Sequence, residues 1–208
     1  MKKYITIALL SGAFLTSCGE YNKVLKSMDY VYQYEAAKSY FGDGKYTKAA
    51  SLLEGLTNIL KGTEDAEESL YMLAMCYYNQ GDYVTASHYF TTYYNTYPRG
   101  VFTELARYHS GKALFLDTPE PKLDQSSTYS AISELQMFME YYPESKRKTE
   151  AQVMIFALQD KLVMKDYLAA KLYYDLGSYN GNASMTADGR INGNNYLACI
   201  TTAENILK

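Results

Sequence analysis

The residues best placed for chemistry lie at the start of the sequence. Met1, Lys2 and Lys3 precede an apolar run from Tyr4 to Leu15, the charged start and short apolar core of a secretory signal. The run is too short to span a bilayer comfortably. It ends in Leu15-Thr16-Ser17-Cys18, which has the form of a bacterial lipobox, where the chain is cut before the cysteine and the thiol is acylated. Cys18 is therefore the expected lipidation site, with residues 1–17 as the signal and residues 18–28 as a lipidated tether. One acyl chain holds a protein at a membrane only marginally, at about 0.8 kcal/mol per buried methylene, whereas several chains hold it durably. Gly19 follows the cysteine and no acidic run lies beside it. Compared with known lipoprotein sorting signals, that pattern favours the periplasmic face of a bacterial outer membrane.

Other reactive side chains do not assemble into a catalytic set. His88 and His109 fall in different segments, and the chain has no H-E-x-x-H pair, phosphate-cradling glycine loop or nucleophile elbow. Asp188 to Gly193 has the outline of a calcium loop, but Arg190 stands where an oxygen ligand belongs and Cys199 where the closing Glu belongs. The acidic run from Glu64 to Glu68 suits a helix start, where carboxylates favour the macrodipole. Cys76 and Cys199 are too far apart in a repeat array to reach bridging distance, and read as buried free thiols. A net charge of -3 without a basic face argues against nucleic-acid binding. The expectation is a protein with no enzymatic activity, no metal and no cofactor beyond the covalent lipid on Cys18.

Binding is better supported by spacing. Tyr34, Tyr71 and Tyr108 recur at intervals of 37 residues, as do Phe41, Tyr78 and Phe115. Between these two aromatic rows lie Lys38, Met75 and Lys112. If the first helix of each of several stacked pairs lines a concave face, these residues form ladders along it. Such a groove would suit an extended peptide with aromatic side chains and a carboxylate. The alternative is that the rings pack between repeats.

The elements that must position these residues follow from the stretch Leu70 to Pro98. Leu73, Ala74, Tyr77, Gly81, Tyr83, Ala86, Phe90 and Pro98 occupy the signature positions of a tetratricopeptide repeat, a helix hairpin of about 34 residues that cannot bury its core alone. Neighbouring repeats are present: Ala37, Ala74 and Gly111 share one register, and Gly44 precedes Gly81 by the same 37 residues. Ala131, Leu135, Phe138 and Pro143 repeat the spacing of Ala86, Phe90, Tyr93 and Pro98, displaced by 45 residues, so the third unit carries an insertion. The expected fold is all-α, a tetratricopeptide-like helix-hairpin solenoid with a right-handed superhelix, over residues 29–208. Asp29 should cap the first helix, Tyr30 to Phe41, and Tyr46 to Leu60 should return from it. Beyond the second repeat the pattern predicts helices Val101 to Leu116 and Ser126 to Tyr142, separated by a loop containing Pro119 and Pro121. A pair, Lys148 to Met164 and Asp166 to Leu176, should follow. Asn180 to Asn194 reads as a loop, and a helix from Tyr196 leaves the last repeat incomplete. The 24 tyrosines suit helix faces that are half wet.

The lipobox, the segment Cys18-Gly-Glu-Tyr-Asn-Lys-Val-Leu-Lys-Ser27 and about five helix pairs together resemble the BamD family of outer-membrane lipoproteins. Tyr142-Pro143-Glu-Ser145, Ala169-Ala-Lys-Leu-Tyr-Tyr174 and Gly177-Ser-Tyr179 are similar to that family's later repeat junctions. The resemblance implies an N-terminal half that receives unfolded outer-membrane β-barrel proteins and a C-terminal half that docks on the periplasmic repeats of the BamA barrel subunit. The aromatic ladders fall in the implied substrate half. The loop after Tyr179 is longer than the family pattern, and the final helix is missing, departures that bear on docking. Two other readings use the same repeats: a periplasmic scaffold for envelope or peptidoglycan enzymes, and a nutrient-binding surface lipoprotein.

Overall fold

The computed structural model describes residues 19–175, which are helical with turns and contain no strand. The fold is an all-α tetratricopeptide-like helical repeat. Helix α1 covers residues 19–25. It is followed by α2 (Tyr30–Gly42), α3 (Tyr46–Ile59), α4 (Asp65–Gln80) and α5 (Tyr83–Thr96). Next come α6 (Thr103–Asp117), α7 (Ser126–Tyr141) and α8 (Lys148–Asp175). The chain divides into two compact units between Ser110 and Gly111, inside α6.

In the first unit consecutive helices from α2 to α5 pack as hairpins, and α2 also touches α4. Local chemistry sets each boundary. The Asp29 carboxylate caps α2 by accepting the Tyr32 N–H at 3.0 Å, and Asp82 caps α5 by accepting from Thr85 at 3.1 Å. The first helix of both hairpins ends the same way. Gly44 and Gly81 take φ of 73° and 81°, where a side chain is disfavoured. Lys45 and Asp82 then donate back to the carbonyls of Tyr40 and Tyr77 at 2.8 and 3.1 Å. These paired bonds satisfy carbonyls that would otherwise be orphaned at the helix end. Ala37, Ala49, Ala74 and Ala86 are fully buried, small enough for neighbouring helices to approach closely. Leu52, Leu53, Leu56 and Leu73 fill the space between them.

Residues 19–25, expected as tether, instead form a helix docked on the first hairpin. Val24 is buried at 2% exposure within its core. The Gln33 side-chain amide donates to the carbonyls of Val24, Leu25 and Ser27, at 3.2, 3.3 and 2.8 Å, so α2 holds the end of α1.

In the second unit α7 packs on α8. Gly111 sits so close to α7 that a Cβ there would meet Leu135 Cδ2 at 2.8 Å, which explains the small residue in that register. The insertion between α6 and α7 is held from inside. Buried Gln125 donates to the carbonyls of Glu120 and Leu123 and accepts the Thr128 hydroxyl at 2.7 Å. Lys161 of α8 donates to the Thr118 hydroxyl and carbonyl at 2.5 and 3.3 Å.

The expected break between Met164 and Asp166 does not occur, and α8 runs unbroken for 28 residues. The reason is compositional: Val163-Met164-Lys165-Asp166 offers neither Pro nor a Gly to take the left-handed conformation that ends α2 and α4. Cys18, Cys199, the expected loop at Asn180 to Asn194 and the helix from Tyr196 lie outside the described residues.

Candidate binding surfaces

The two ladders are drawn into the packing of the first unit to different depths. Tyr34 is 2% exposed, and its hydroxyl donates to Glu68 Oε2 at 3.0 Å across α2 and α4. Burial first, and this bond second, raise the Tyr34 hydroxyl well above the ordinary tyrosine range. Tyr108 is also buried, at 3% exposure, with its ring edge-on to His109. These two rings serve mainly as core.

Tyr71 is half-buried and stacks on Phe102 with centroids 4.5 Å apart, while Tyr93 and Phe90 flank it at 5.6 and 5.7 Å. Tyr78 meets Tyr83 and His109 edge-on, at 5.6 and 5.4 Å. Phe41 meets Tyr46 edge-on at 5.6 Å. Such offset and edge contacts are worth roughly 0.5–1.5 kcal/mol each beyond the area they bury. Lys38 places its ammonium 4.7 Å from the Tyr34 ring centroid and pairs with Glu35, one turn earlier. The bond to Glu35 raises the Lys38 pKa, against a smaller opposing effect of burial.

The first unit therefore keeps Lys38, Phe41, Tyr71, Met75 and Tyr78 partly open to solvent. That set offers aromatic faces beside one cation. In the second unit Lys112 pairs with Glu150 Oε1 at 2.8 Å, and Phe115 is half-buried in α6.

A second surface was not apparent in the sequence. In the second unit, the inter-helix loop and the later half of α8 enclose a groove of about 600 Å³. Pro121, Leu168 and Leu172 line it, together with Lys122, Lys165 and Lys171. Its parts come from segments more than forty residues apart, so no local spacing marks it. Equally hidden were tyrosine–carboxylate bonds between helices. The Tyr77 hydroxyl donates to Glu54, and the Tyr93 hydroxyl donates to Glu67. Glu67 and Glu68, read from the sequence as a helix-start pattern, also accept these long-range bonds. The only available signal was the number of tyrosines, since a buried phenol needs a partner.

The Cys76 thiol is free and buried, and desolvation pushes its pKa up to about 12, leaving it unreactive at neutral pH. Among the described residues no cluster of three or more His, Cys, Asp or Glu could hold a metal. Among them, too, no helix is long and apolar enough to cross a membrane.

Comparison with known protein families matches residues 26–187 to YfiO, an outer membrane lipoprotein family. A search of curated proteins gives no match. The matched span takes in α2 to α8 and well over half of the sequence. With its helix hairpins and the lipobox-like Leu15-Thr16-Ser17-Cys18, the chain belongs to the YfiO family of outer membrane lipoproteins.

Proposed function

We propose that this outer membrane lipoprotein is a noncatalytic component of the BamD type in the machinery that assembles β-barrel proteins. Cys18 carries the lipid and holds the helical domain on the periplasmic side. The partly open aromatic face of the first unit receives unfolded β-barrel proteins as extended segments. A BamA-like barrel subunit is the docking partner. The observation that carries this reading is the family match over residues 26–187. The aromatic rings beside Lys38 fit a segment ending in an aromatic residue and a carboxylate.

The test is gentle detergent purification of the tagged protein from its own envelope, followed by identification of what copurifies. A barrel protein bearing periplasmic repeat domains is the expected partner. Recovery of peptidoglycan enzymes or a nutrient transporter in its place would overturn the assembly role and leave the repeats serving another complex.

A further inference from the structure

The junction of α1 and α2 concentrates exposed apolar side chains in one short stretch. Leu25, Met28, Tyr30, Val31 and Tyr32 lie within eight consecutive residues and are all exposed, Met28 by 86% and Val31 by 72%. This corner is compact, because Gln33 ties the carbonyls of Leu25 and Ser27 to the first turns of α2. Lys23 and Lys26 are exposed beside the patch. The one carboxylate within it, Asp29, is engaged in capping α2. Apolar side chains, tyrosines and lysines in one patch match the water–lipid boundary, where rings sit at headgroup level and lysine stems extend outward.

Position identifies the occupant. Cys18 directly precedes α1, and seven helical residues advance the chain only about 10 Å. Because α1 is docked on the hairpin through Val24, no slack separates the expected lipid site from this corner. We infer that the α1–α2 corner lies in the headgroup layer of the membrane holding the lipid anchor, with Met28 and Val31 inserted among acyl chains and Lys23 and Lys26 against anionic phosphates. The inference rests on acylation of Cys18, part of the functional reading above.

The test uses full-length lipidated protein in vesicles of phosphatidylethanolamine and phosphatidylglycerol containing no other protein. An environment-sensitive fluorophore is attached at Met28→Cys, Val31→Cys or Val84→Cys in a Cys199→Ser background. Buried Cys76 stays unlabelled in the folded chain. Val84, exposed by 59%, starts α5, and alternating helix directions place it at the opposite end of the hairpins, roughly the length of α2, ~20 Å, away. Lipids with a nitroxide near the headgroup should remove most of the emission at positions 28 and 31 and leave position 84 bright.

Bright probes at 28 and 31 in protein that enters the detergent phase would overturn the inference while leaving the anchor in place. Protein that stays in the aqueous phase would show Cys18 unacylated, and the anchor reading would fall together with the inference.

Discussion

The Tyr93 hydroxyl of α5 donates to the Glu67 carboxylate of α4, and the same carboxylate oxygen accepts the Val101 N–H at 2.6 Å. The Tyr93 oxygen in turn accepts from the Phe102 N–H at 3.1 Å. One carboxylate thus fastens a hairpin to the start of the next helix. Tyr93→Phe should lower stability by about 1–3 kcal/mol, since it strips a partly buried carboxylate bond and leaves the Phe102 N–H without this acceptor. Glu67→Gln, which keeps an acceptor, should cost less than Glu67→Ala. Urea unfolding midpoints for the three variants check the order.

Alkaline stability should report the same bonds. In Tyr34, Tyr77 and Tyr93 burial is the largest cause, and a glutamate bond the next, raising the hydroxyl above the ordinary value of 10.0. The folded chain therefore holds these protons more tightly than the unfolded one. Below that value both states are protonated and the contribution is complete. As pH rises above it, the unfolded chain releases protons first and stability falls. Urea midpoints followed upward from about pH 8 should stay level and then decline near pH 10, and Tyr77→Phe with Tyr93→Phe should flatten the decline.

Two glycines should differ in what an added methyl does. Gly81 has open space around its missing Cβ, so Gly81→Ala meets only the left-handed backbone penalty, roughly 1–2 kcal/mol. At Gly100 the Cβ would stand 2.5 Å from Glu67 Oε1 and 2.7 Å from the Tyr93 oxygen. Gly100→Ala therefore forces the Tyr93–Glu67 bond apart, and should also weaken the effect of Tyr93→Phe when the two are combined. A double-mutant cycle measures that coupling.

Charge reversal tests the proposed peptide face without emptying the core. Lys38→Glu should weaken binding of a peptide with a terminal aromatic residue and carboxylate by about tenfold, or 1.4 kcal/mol. The side chain is partly exposed, so the helical circular dichroism should not change. Fluorescence anisotropy of the labelled peptide gives the affinity, and equal affinities would remove Lys38 from the site.

Features governed by a few adjacent residues were legible in the sequence. Asp29 as a cap and Gly44 and Gly81 as helix ends work through backbone bonds a few positions away. The 37-residue register also identified Ala37 and Ala74 as contact positions. Depth was not legible in the same way. Tyr34, Tyr71 and Tyr108 share a register, yet Tyr71 is only half-buried while the other two are sealed, because burial depends on which side chains face each ring across the hairpins. Docking of α1 is not marked in the sequence because it rests on Val24, on the Tyr21 ring set edge-on to Tyr40 and on the Gln33 amide, which make no periodic pattern. The lysine-lined groove required the fold itself.

The unbroken course of α8 restricts how the chain can vary in length. A residue gained or lost in the turn at Gly81 changes a loop, and the flanking hairpin can absorb it. One inserted near Met164 would rotate every later position of α8 by about 100°. Lys165, Leu168 and Leu172 would swing away from Pro121, dismantling the groove while leaving the helix intact. Natural relatives should therefore differ in length at the hairpin turns, and keep the count fixed between Lys161 and Leu172.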